Sequence, residues 1–297
     1  MNAAGETAFK GKLMFDEPMS RHTSWRLGGP ADCYYVPADL NDLQLYLASL
    51  TTDIEILWVG LGSNLLVRDG GIRGQVIAPL NGLKEMYSNA DGSIYVESGV
   101  SCAKLAKFCY KQGFGGADFF AGIPGTVGGA LAMNAGAFGG ETWKWVESLC
   151  LIDRFGQLET RAADDFVVGY RQVEIPAQQW FAAARFRFHQ SAEGDTSNIR
   201  QLLQKRNASQ PIGQPSCGSV FKNPDGKHAA RLIEEAALKG FCLGNACVSG
   251  KHANFIISNA ATTARDVEAL IEYIQETVQA RFDVRLETEV RIVGEAA

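Results

Sequence analysis

The chain has 297 residues, enough for two or three domains with sizeable apolar cores. Hydrophobic residues make up 46% and charged residues 21%, the proportions of an ordinary globular protein. Twenty-eight Lys and Arg stand against 33 Asp and Glu, a formal net charge of −5, which argues against a nucleic-acid partner and against an anionic membrane surface.

The polar opening MNAAGETAFKGK lacks the apolar stretch of a secretory signal. Seven scattered cysteines without a C-x-x-C pair read as reduced, partly buried thiols, so a cytoplasmic protein is expected. Gly28-Gly29-Pro30 precedes a strand-like CYYV, and Asp39 to Leu50 predicts a helix with Leu40, Leu43, Leu47 and Leu50 on one face. IEILWVG, residues 54 to 60, predicts a short buried strand running into Leu61-Gly62-Ser63-Asn64, a turn whose N–H groups could form an anion nest. Gly60 and Gly62 do not make a dinucleotide fingerprint, because Leu65 holds the third position. No Walker A sequence and no G-x-S-x-G elbow occurs. Strands are expected at 75–79 and 93–98, followed by a helix from the N-cap Ser101 to Gln112 that Gly113 closes.

Residues 113 to 140, GFGGADFFAGIPGTVGGALAMNAGAFGG, contain ten glycines and one charge, Asp118. The 22 uncharged residues from Phe119 to Gly140 are long enough to span a bilayer, but the internal glycines, Pro124 and Asn134 exclude a spanning helix. Two readings stay open on composition: tight turns between small-residue helices, or a cradle for a pyrophosphate.

Beyond this stretch, 146–161 predicts a hairpin across Arg154-Phe155-Gly156, and 181–188 a further strand. The polar HQSAEGDTSN at 189–198 predicts a linker and the main domain boundary. Helices are expected at 199–208 and 229–238, and strand-like HANFIIS spans 252–258. Val267, Leu270, Ile271, Ile274, Val278 and Phe282 define a last amphipathic helix. A closing strand, Val284 to Val293, alternates Val284, Leu286, Val290 and Ile292 with Arg285, Glu287, Glu289 and Arg291.

Little of this carries chemistry unaided. The four histidines lack metal-ligand spacing, so no metal is expected; His252 reads as a core or cap residue and Cys217 as a structural thiol. On pattern, Glu287 and Glu289 form a solvated charged face. The residues alone reach an α+β protein with two phosphate-binding loops.

Six segments add a resemblance. GLGSNLLV (60–67), AGIPGTVGGALAMNAGAFG (121–139), GYR (169–171), GSVFKNP (218–224), KHANFI (251–256) and LETEVRIVG (286–294) occur in the order of the UDP-N-acetylenolpyruvoylglucosamine reductase family, whose pattern the chain resembles from about residue 20 to 294. The resemblance implies an FAD-binding domain of the vanillyl-alcohol-oxidase type at 20–190, with lobes at about 20–80 and 81–190. A C-terminal α+β substrate domain would follow at 199–297, its last strand reaching the active site. FAD would be held non-covalently by Gly60, Gly62, Ser63, Asn64 and Leu65 in the first loop. The second loop would contribute Gly122, Ile123, Pro124, Gly125, Thr126, Gly128 and Gly129, with Asn134 and Gly136, its glycines at positive φ.

The implied reaction reduces the enolpyruvyl ether of UDP-N-acetylglucosamine enolpyruvate to UDP-N-acetylmuramate, a cell-wall precursor, with NADPH as reductant. Arg171 would bind the substrate carboxylate, a task suited to a planar guanidinium. Glu289 would stand beside that carboxylate with a raised pKa, Ser219 would protonate the α-carbon, and Asn223 would contact the diphosphate or sugar. Three positions depart from the family: Val173 where a Ser is usual, and Ala237 and Asn245 where Gly is usual. Only 48 positions separate Arg171 from Ser219, which resembles the shorter branch lacking an inserted loop with a substrate-closing Tyr. The alternatives are another flavin oxidoreductase on the same scaffold and a nucleotide-binding module without catalysis; the intact Arg171, Ser219 and Glu289 set weighs against the second.

Overall fold

The computed structural model describes residues 9–190 and 196–297. Its first sheet has four strands: Lys12–Pro18 runs antiparallel to Pro30–Val36, which lies parallel to Ile72–Ile77, and Ile56–Trp58 flanks the latter, also parallel. Helix α1, Leu40–Ser49, crosses over from Pro30–Val36 to Ile56–Trp58, the two strands that lie on either side of Ile72–Ile77. Asp39 starts α1 by accepting the Asp42 N–H, and Leu43 and Leu47 are buried on its inner face.

The second sheet is antiparallel, in the order Leu158–Ala162, Val146–Asp153, Gln179–Phe186, Ile94–Glu97, Met86–Ser88. Helices α2, Cys102–Lys111, and α3, Val127–Met133, cover one face. Leu105, Phe120 and Leu131 pack there against Ile94, Val96, Leu149 and Phe186. Ser101 caps α2 as expected, and Gly113 leaves it at φ 74°. The uncharged run 119–140 folds as a 3-10 turn, α3 and a small hairpin, Gly136–Ala137 against Gly140–Glu141. Among the described residues no helix is long and apolar enough to cross a membrane.

The remainder carries α4, Thr196–Ser209, α5, Ala229–Glu235, α6, Ala264–Phe282, and a three-stranded sheet of Cys242–Leu243, Ala246–Val248 and Ile256–Ile257. The α6 stripe Val267, Leu270, Ile271, Ile274 and Val278 is buried in a core that also takes in Trp25, Leu27 and Leu66. Further ties cross the same boundary. Trp25 Nε1 donates to the Ile256 carbonyl at 2.8 Å, Arg68 forks onto the Glu268 carboxylate, and Asp69 accepts the first N–H groups of α6, those of Ala264 and Arg265. Arg291–Val293 lies parallel to Leu65–Val67. The C-terminal segment therefore completes the first lobe.

Several expectations are corrected. The 189–198 linker is strand at His189–Gln190, paired with Phe114–Gly115, and helix from Thr196; its middle, 191–195, lies outside the described residues. Helix α5 stops at Glu235 because Ala237 turns left-handed (φ 61°) and the Leu238 N–H reaches back to the Ile233 carbonyl. Only Ile256–Ile257 of HANFIIS and Arg291–Val293 of the last segment sit in ladders. Residues 287–289 instead meet 220–222: Lys222 N–H donates to the Glu287 carbonyl, and Glu289 N–H to that of Val220. The cysteines are not all free either, for Cys242 and Cys247 face each other across a two-residue hairpin loop and are disulfide-bonded.

Candidate active site

One cavity of ≈ 750 Å³ takes in both glycine loops and, further along, Arg171, Ser219, Asn223 and Glu289. Its walls carry four cations, Arg171, Lys205, Arg206 and Arg291, against a single carboxylate, Glu289. Such a balance suits an anionic ligand.

The first loop follows directly from strand Ile56–Trp58. Gly62 sits at φ 65°, and a Cβ there would lie 1.9 Å from the His22 carbonyl oxygen, so no other residue fits. Among the described residues the N–H groups of Gly62, Ser63 and Asn64 have no protein acceptor, which leaves three adjacent donors for an anion. The second loop disposes of its donors differently. Val127 and Gly128 donate to the carbonyls of Val100 and Ser98, Gly125 to that of Ile123, and Gly129 to Thr126 Oγ1. Most of its amides are thus committed to the fold. Gly125 corrects the sequence reading: it is not at positive φ, and a Cβ there would meet only Ser63 Oγ at 3.5 Å and Ile123 at 3.9 Å. The space a side chain would fill is the cavity itself, as a ligand pressed against the loop requires.

Leu65, Gly60, Gly136 and the 122–129 loop line the same cavity, whereas Asn134 stands behind it. Asn134 ends α3 in the left-handed region and is 4% exposed. Its side chain donates to the Gly169 carbonyl at 3.2 Å and accepts the Trp143 N–H at 3.1 Å. From there it shapes the loop.

Arg171 lies at the tip of a second hairpin, Val168–Gly169 against Gln172–Val173, with φ 55°. Phe138, on the tip of the 136–141 hairpin, has φ 54° and also lines the cavity. A non-glycine residue held left-handed costs roughly 1–2 kcal/mol, so both tips store strain where the cavity opens. The Arg171 guanidinium donates Nη1–H to the Asn134 carbonyl and Nη2–H to that of Gly136, each at 3.2 Å, and its Nε lies 3.2 Å from Glu289 Oε1. Of its five N–H bonds two remain for a ligand.

Both partners of the Arg171–Glu289 pair have side chains only 17% exposed. Burial raises the Glu289 pKa above the ordinary glutamate value, against the opposing pull of Arg171. The solvated-face expectation for Glu289 is therefore wrong: its segment pairs irregularly with 220–222, and the Asn64 side chain holds its carbonyl at 2.9 Å. Ser219 follows Gly218 (φ 72°) into the cavity, and among the described residues its hydroxyl has no protein partner. Asn223 is shared between Tyr170 Oη at 3.4 Å and the Ala229 N–H at 3.1 Å. Cys217 is buried, and burial pushes its thiol up to about 12, which leaves it inert as expected.

Sequence reasoning missed Asn254. Buried in KHANFI, its side chain accepts the Phe221 N–H at 3.0 Å and donates to the Phe221 carbonyl at 2.8 Å, replacing a strand partner two residues beyond Ser219. A motif asparagine between apolar residues was the available signal.

The chain is similar to known proteins. Residues 31–161 match a family described as an FAD-binding domain, and 210–293 one described as the C-terminal domain of UDP-N-acetylenolpyruvoylglucosamine reductase. The reductase of that name from Alkalilimnicola ehrlichii is 52% identical over 297 residues, covering 100% of this chain and 99% of its own length. That of Coxiella burnetii is 49% identical over 314 aligned positions, covering 99% of each. The crystal structure of the enzyme of that name from Thermus caldophilus superposes with a TM-score of 0.80 at 27% identity, over 95% of this chain and 98% of that one. With relatives this similar along their whole length, the chain belongs to the UDP-N-acetylenolpyruvoylglucosamine reductase family.

Proposed function

We propose that the chain reduces UDP-N-acetylglucosamine enolpyruvate to UDP-N-acetylmuramate at the expense of NADPH. The observation that carries this reading is the convergence of Arg171, Glu289 and Ser219 on the cavity that the two glycine loops wall. When bound, FAD would supply the hydride chemistry that links NADPH to the terminal methylene of the enolpyruvyl group. The open N–H groups of Gly62, Ser63 and Asn64 would hold its pyrophosphate against the flat face of the 122–129 loop. FAD-binding residues then fall within 20–190, and the substrate domain is 199–297.

The chain's own residues manage charge and protons. As hydride adds, negative charge builds beside the substrate carboxylate, and the two free N–H bonds of Arg171 bind and stabilise it. Glu289, its proton retained more strongly through burial, keeps Arg171 oriented and can donate to the same carboxylate. Ser219, with no competing acceptor, hands its proton to the α-carbon. Asn223 reaches toward the diphosphate or sugar from beside Tyr170.

This reading places the protein in the cytoplasm with small-molecule partners. It predicts a yellow protein whose flavin is fully released by acid. Neither His22, stacked on Tyr34 and paired with Glu17, nor Cys33 lines the cavity to link it. The deciding measurement is NADPH oxidation with and without the enolpyruvyl UDP-sugar. No acceleration by that sugar would overturn the assignment.

A further inference from the structure

The cavity also takes in a wall that the reaction does not use. Trp58 and Trp180 both line it, half-buried, with ring planes 7° apart and centroids at 5.5 Å. Trp58 closes strand Ile56–Trp58, and Trp180 lies near the start of strand Gln179–Phe186, so one indole comes from each sheet. Both pack behind onto the core of Leu43, Leu47, Ile77 and Ile152. The stack is anchored on two rigid frameworks and presents apolar surface to the cavity.

The first loop fixes what each end would see. At its far end Asn64 holds the Glu289 carbonyl; at its near end Trp58 is two residues from Gly60, about 7 Å at a strand's rise. A diphosphate on the N–H groups of residues 62–64 therefore has the Arg171, Ser219 and Glu289 cluster on one side and the indoles on the other. A single ribose bridges such a span between a diphosphate and its base.

We infer that Trp58 and Trp180 form an aromatic shelf that binds the adenine ring of FAD and makes the site selective for the dinucleotide over FMN. The inference rests on the FAD reading above. Stacking suits this end because a purine offers a π-face and the wall here offers few polar partners.

The test compares two flavins on the same full chain. Dissociation constants for FAD and FMN are measured from the loss of flavin fluorescence on binding, after the protein's own flavin has been removed. FMN lacks the adenine and reports on the flavin half of the site. Trp58→Leu and Trp180→Leu are expected to weaken FAD about 10- to 100-fold each and to leave FMN within about twofold, with Trp58→Phe and Trp180→Phe recovering much of the loss. FAD binding unchanged in both Leu variants, or FAD and FMN weakened alike in the Phe variants as well, overturns the shelf while leaving the flavoenzyme reading intact. A parent that binds neither flavin overturns both.

Discussion

Replacing Ser219 with alanine removes one oxygen, and the structure makes the two possible consequences far apart. Among the described residues the hydroxyl holds no hydrogen bond, caps no helix and lies on the cavity wall. Its loss should therefore alter stability by less than about 0.5 kcal/mol, as for a substitution away from any buried network. If the same hydroxyl delivers the proton that follows hydride transfer, its loss forfeits general-acid catalysis. That is commonly worth 10²–10⁴, or about 2.7–5.5 kcal/mol at 1.36 kcal/mol per tenfold. Stopped-flow separates the two halves of the cycle. Flavin reduction by NADPH should proceed at the parental rate in Ser219→Ala, whereas flavin reoxidation by the enolpyruvyl sugar should fall by at least two orders of magnitude. Parental reoxidation, or equal slowing of both halves, would remove Ser219 from the mechanism.

Glu289→Gln should lower turnover well beyond twofold with little change in substrate affinity; a rate within twofold would mean the carboxyl takes no part. Because the Glu289 pKa is raised in the fold, the native state keeps a proton that the unfolded chain has lost. Its contribution to stability is full below the ordinary glutamate value and declines as pH rises toward the folded one. Turnover should fall along the same limb, and Gln should flatten it in a kcat–pH profile. Gly125→Val should fold, since a Cβ meets only Ser63 Oγ at 3.5 Å and Ile123 at 3.9 Å, but lower FAD content per folded chain; full occupancy would refute the cradle. Asn254→Ala strands the Phe221 N–H and carbonyl and should cost about 2–4 kcal/mol in denaturant unfolding. Ala237→Gly relieves a left-handed alanine and should add about 0.5–1 kcal/mol, the relief less glycine's greater unfolded entropy; a loss of stability would refute the strain.

What was legible in the sequence was local. The α6 stripe, the Ser101 cap and the strand before Gly60 each carry their signal within a few residues, and each appears where expected. On pattern alone Glu289 looks like part of a solvated face, and only the family motif points to it, because its segment is packed against one about 67 positions upstream, at 220–222. Arg171 is an ordinary GYR arginine until the Asn134 and Gly136 carbonyls are brought to it. Local information was also overlooked. Cys242 and Cys247 bracket Gly244-Asn245, and a two-residue hairpin loop sets such positions opposite each other. For the end of α5 alanine itself gives no warning of a left-handed turn, and only the family's usual Gly at position 237 marks it.

The pairing of Arg291–Val293 with Leu65–Val67 has a consequence for how the protein is made. The Asn64 amide bonds a carbonyl 225 residues downstream. At 5–20 residues per second a ribosome needs roughly 10–45 s to cover that distance. Throughout that interval the Leu65–Val67 edge lacks its ladder partner, Arg291–Val293. An open apolar edge on a nascent chain invites pairing with other chains. The junction between the first glycine loop and Glu289 can form only after nearly the whole protein has been synthesised. Assembly of the cavity is thereby tied to the end of synthesis.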